Sequence, residues 1–149
     1  MIDLLRHLTS IAGRDRLNPA VYKTARELTD CEATTQQKVE AIVDHLHRSF
    51  QLGRADASEE ETMASPAQLL ASQRPVDADD ACAVVAALAM SVGVRCRFAA
   101  IRYGQSWTCW VAYEVGDHWE VVDPLRQRPE REPDEQVLGP IPGEVERSG

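Results

Sequence analysis

Between Ala81 and Met90 the chain reads Ala-Cys-Ala-Val-Val-Ala-Ala-Leu-Ala-Met. Wound into a helix, that run is apolar on every face. A helix without a polar side is buried all round, so the rest of the chain has to wrap around this segment. The predicted helix covers Asp77 to Ser91. Asp77, Asp79 and Asp80 crowd its start, where carboxylates cap backbone N–H groups and complement the helix dipole. Gly93 ends it.

The segments before it read as amphipathic helices. Residues 2–12 form a short one. Asn18-Pro19 opens a second, with proline at the first helical position, running to about Leu28. Thr34 with Gln37 fits a capping box, and beyond it Val39, Ile42, Val43, Leu46 and Phe50 recur at helical spacing. Gly53 to Thr62 is polar and acidic and reads as a loop, and Ser65-Pro66 opens a short helix carrying Leu69 and Leu70. After Gly93 the pattern changes to strands at Arg95–Arg102, Trp107–Val115 and His118–Val122, the last two joined by a tight Gly116-Asp117 turn. Helices, one buried helix and then an antiparallel sheet of at least three strands make an α+β layout. Residues 1–124 form one domain. Residues 125–149, with Pro129, Pro133, Pro140 and Pro142 among many charges, read as a C-terminal tail or arm.

Charge and cysteine usage narrow the function classes. A net charge of −8 argues against a nucleic-acid partner, which calls for a basic patch. No run of about 18 apolar residues exists, so no membrane span is expected, and the first residues lack a signal-peptide layout. Cys31, Cys82, Cys96 and Cys109 are scattered without a Cys-x-x-Cys pair, which argues against a zinc site. They read as reduced thiols in a cytoplasmic protein, two or three of them in the core. His7, His45, His47 and His118 are dispersed and read as surface residues. No metal and no cofactor is expected.

The stretch from Ala20 to Pro124 resembles the transglutaminase-like superfamily, which has a papain-like cysteine protease fold, and within it the phage and prophage type. Ser65-Pro66-Ala67-Gln68-Leu69-Leu70 is similar to its s-P-x-x-x-L element, and Asp77-Ala78-Asp79-Asp80 to its G-D-C-D-D nucleophile motif. Ala86 to Val94 is similar to a-A-L-l-r-S-l-G-i, Trp110 to Val115 to H-v-y-v-E-V, and Trp119 to Pro124 to W-i-x-l-D-p. The resemblance implies a cysteine at the mouth of the buried helix, a histidine on the second strand and an aspartate on the third. The matching slots hold Ala78, Trp110 and Asp123, so the implied triad is degenerate. Alanine has no nucleophilic atom, and the indole N–H is a donor that cannot serve as a base. An indole in that slot is also expected to fill the space of a substrate. An engineered cysteine-to-alanine change would account for Ala78 but not for Trp110.

Cys82 is the one fallback nucleophile. It lies a turn deeper than Ala78, where the dipole's help fades and apolar neighbours raise a thiol's pKa. Core packing is the competing role. His118 stands five residues before Asp123, and Cys109 one before Trp110, so strand parity separates each pair. Asp123 is open to use as a structural acceptor for a strand N–H or the Trp110 indole. Asp77, Asp79 and Asp80 are helix-start acids, since the calcium-loop pattern is missing. Trp107, Tyr113 and Trp119 are either ordinary sheet packing or an aromatic contact surface. Together these features suggest a non-catalytic module that binds protein partners in a larger assembly. The resemblance points to a virion or prophage component in its tail, neck or head. An active thiol hydrolase or amide transferase using Cys82 is the alternative. A pseudoenzyme that still holds a peptide in the old cleft is a third reading, which the volume of Trp110 opposes.

Overall fold

The computed structural model of the chain describes residues 2–50, 65–71 and 76–142. Five helices precede four strands: α1 (Ile2–Asp15), α2 (Pro19–Thr29), α3 (Thr35–Ser49), α4 (Pro66–Ala71), α5 (Ala78–Ser91), β1 (Cys96–Tyr103), β2 (Ser106–Val115), β3 (His118–Val122) and β4 (Glu135–Leu138). The architecture is α+β, as the hydrophobic patterning implies. The expected Gly53–Thr62 loop lies outside the described residues.

Local signals set the helix starts. The Asn18 side chain accepts from the Ala20 and Val21 amides, with Pro19 at the first position. Thr34 Oγ accepts from the Gln37 amide and Gln37 Oε1 accepts from the Thr34 amide, each at 3.1 Å, closing the capping box. Such a cap is worth about 1 kcal/mol.

From Ala81 to Ala89 every α5 side chain is buried. The helix touches α1, α2, α3 and α4 and rests on β1 and β2. Leu8, Ile42, Val43, Leu46 and Leu69 close around it. Gly93, at a φ of +90°, ends it, and the Val94 amide returns to the Ala89 carbonyl.

The sheet is antiparallel with strand order β3-β2-β1-β4. Along β2, Cys109, Val111 and Tyr113 join the core under α5. Trp110 points the other way and packs with Ala99 and Ile101, as period-two alternation requires.

The segment read as a tail belongs to the sheet. After Asp123 the chain crosses the face opposite α5, and Glu135–Leu138 then pairs with β1 as an edge strand. Prolines at 129, 133 and 140 mask this, because they flank a strand only four residues long. Arg126 anchors the crossing with ion pairs to Glu40 and Asp44 on α3.

Candidate functional site

The head of α5 is where the implied chemistry belongs. Asp77 is the N-cap, and its carboxylate accepts from the Asp80 amide at 2.9 Å. Ala78 occupies the first helical position and is only partly buried. A reactive side chain there would stand at the positive end of the helix, within reach of solvent. The residue present ends at a methyl group. Asp79 and Asp80 complete the first turn, and Asp80 is buried. Among the described residues no group of three or more His, Cys, Asp or Glu is arranged to hold a metal ion.

One turn deeper, Cys82 is fully buried. Its thiol donates to the Cys109 carbonyl at 3.0 Å. Burial pushes its pKa well up, and the neighbouring Cys109 thiol and the Asp79 and Asp123 carboxylates push it further. Every one of these influences disfavours thiolate. Cys96 is pushed up to about 12 by burial alone. Cys31 is the exposed thiol of the four.

The strand slots face each other across β2 and β3. β2 and β3 pair as Val111↔Val122, so one further step sets position 123 opposite position 110. A histidine and an aspartate there would be cross-strand neighbours. Trp110 is 2% exposed and packs against Ala99, Ile101, Tyr103, Val121 and Leu138, none of which lies on α5. Arg128 lies over its ring at 5.0 Å. The expectation that this indole fills a substrate cleft is therefore corrected: it forms a second small core on the far side of the sheet. The Asp123 carboxylate accepts from the Leu125 amide at 3.0 Å and the Gln127 amide at 2.7 Å. The acid slot thus shapes the turn that starts the crossing segment.

The histidines divide. His7 and His118 are exposed. His118 bonds Glu120 at 2.9 Å and lies near Asp117, and both acids raise its pKa, Glu120 more. His47 departs from the surface reading: it is half-buried, and its Nε2 donates to the Pro124 carbonyl at 2.7 Å. The signal was present, since His47 lies four residues after the core residue Val43 and so borders the same helix face. His45 is also half-buried, and burial first, then Arg48, lowers its pKa. Neither forms a hydrogen bond to a described thiol.

The proposed aromatic surface is mostly spent inside the molecule. Tyr113 is 8% exposed and belongs to the α5 core, and burial raises its pKa. Trp119 is half-buried beneath Arg97 at 5.2 Å and Arg95 at 5.8 Å. Trp107 keeps 40% of its surface.

Residues 22–124 match the Transglutaminase-like superfamily. No curated protein matches the chain. Two solved structures share the fold, each with a TM-score of 0.61. One, from Parabacteroides distasonis and named a "putative protease", is 17% identical over 77% of this chain and 25% of its own length. The other, from Cytophaga hutchinsonii and named a "putative cysteine protease", is 16% identical over 76% of this chain and 39% of its own. The chain spans well under half the length of either.

Proposed function

Because the chain belongs to the transglutaminase-like superfamily, we propose that it is a non-catalytic version of that module, kept for its shape and used in protein–protein assembly. A virion or prophage structure is the setting that the motif resemblance suggests. One observation carries the reading. The first position of α5 holds Ala78, while the nearest thiol inward, Cys82, is fully buried and bonded to a backbone carbonyl. Acyl transfer on a thiol needs an accessible thiolate and a base beside it. Position 110 supplies an indole locked in a separate core, and Asp123 is occupied by turn amides.

An active thiol hydrolase acting through Cys82 is the competing reading, favoured by the names of the two structural neighbours. It requires α5 to lift from β2 so that the buried sulfur meets both solvent and a base. The test uses peptide hydrolysis and amine incorporation into a glutamine-containing protein, each compared with Cys82→Ala. The expected result is turnover at the buffer level for both proteins. Turnover that vanishes in Cys82→Ala would establish the enzyme.

A further inference from the structure

Among the described residues five large apolar side chains are exposed, and four of them lie on one strip. Ile2, Leu17 and Val137 line a groove of about 1000 Å³ between α1 and β4. Ile2 and Val137, with Trp107, also line an adjoining hollow of about 430 Å³. Scattered exposed apolar residues need no explanation, but a contiguous strip of them marks a contact surface.

Two further features specify what the strip fits. β4 is the last strand of the sheet. The Gly139 amide donates to the Phe98 carbonyl at 2.8 Å, in register with Ala99↔Leu138. Antiparallel alternation then turns the backbone groups of Gln136 and Leu138 away from β1, and a row of such groups is a template for another strand. The groove is also cationic. Arg6, Arg14 and Arg16 line it and no carboxylate does, the acids Asp3 and Glu135 lining only the adjoining hollow, in a chain with 24 acidic against 16 basic residues. Arg14 is tied to its neighbour Asp15, with its side chain 70% exposed.

We infer that the α1–β4 groove binds an extended acidic peptide segment of a partner protein, added to the sheet as a strand beside β4. Main-chain hydrogen bonds to Gln136 and Leu138 hold it. Alternate apolar side chains enter the strip between Ile2, Leu17 and Val137, and the acidic ones meet the three arginines. Its biological meaning rests on the assembly reading above, whereas the binding involves none of the thiols. Turnover through Cys82 would sink that reading and leave this groove standing, and absent binding would do the reverse.

The probe is a fluorescein-labelled hexapeptide alternating Glu and Val, with Lys in place of Glu as control, titrated by anisotropy against the full chain. Binding of the acidic probe alone is expected. Arg6→Glu should weaken it about tenfold, with the loss shrinking as salt is raised. Gln136→Pro removes an outward amide without costing a bond to β1 and should abolish binding while thermal unfolding stays unchanged. Equal binding of both probes, or none, overturns the inference, as does full binding by Gln136→Pro. A concentration-dependent dimer that Val137→Glu dissociates also overturns it, because the occupant would then be a second copy.

Discussion

The two faces of the sheet are closed by different physics. Under α5 the contacts are mainly hydrocarbon: Cys82, Cys96 and Cys109 sit among Val84, Val85, Leu88, Phe98 and Val111, with the Tyr113 phenol at the margin. On the other face a cluster of three buried residues lies beneath a strap held by charge. Arg128 covers Trp110 and Arg131 covers Tyr103, at 5.0 and 4.8 Å, and Asp134 accepts from the Gly104 amide at 2.6 Å. The contrast sets an apolar interior holding three thiols against a small aromatic core closed by charged side chains. Cys82, Cys96 and Cys109 lie in the α5 core, and Trp110 lies under the strap on the other face.

The contrast is broken most severely by Trp110→Ala. It removes the largest fully buried side chain and should cost about 3–5 kcal/mol, read from urea unfolding. A loss below about 1 kcal/mol would mean that the strap collapses onto the gap, or never closed over the indole. A smaller effect sharpens the comparison at the head of α5. Asp77→Ala deletes the N-cap bond to the Asp80 amide and should cost about 1 kcal/mol, close to the cost of Thr34→Ala on α3. A much larger loss would give the acidic turn a role beyond capping.

The smallest effect separates the faces by pH. The hydrogen bond from Arg126 holds the Asp44 carboxyl below its ordinary 3.8, and the Arg126, Arg48 and His47 charges add to this. A depressed folded pKa contributes stability that is present above the unfolded value and lost as pH falls through the folded one. The strap should therefore loosen below about pH 4 while the α5 face stays intact. Melting temperatures at pH 6 and pH 3 should differ less in Asp44→Asn than in the parent. An identical difference in both would remove this ion pair from the acid response.

Much of the fold was legible in the sequence because local rules decide it. An all-apolar run has to be interior, Asn18-Pro19 and the Thr34–Gln37 box are helix starts, and Gly116-Asp117 is a turn. Residues Ser65 to Pro124 also carried the family motifs, and the superfamily match over 22–124 agrees with them. The misreadings involve distant contacts. β4 is four residues between prolines, and only its pairing with β1 makes it a strand. Tyr113 and Trp119 have aromatic identity but no visible burial partner in sequence, so surface and core could not be told apart. His47 borders a core face, yet its bond to Pro124 depends on a segment 77 residues away. The α1–β4 groove joins the two ends of the described chain and has no sequence motif.

The most direct measurement is the alkylation rate of each cysteine in the native protein near neutral pH, read by peptide mass spectrometry. Cys31 should react as an ordinary exposed thiol, with Cys82, Cys96 and Cys109 slower by about a hundredfold or more, set by how rarely the core opens. Selective, rapid labelling of Cys82 would mean that the sulfur beneath Ala78 is reached and ionised, and the non-catalytic account would fail.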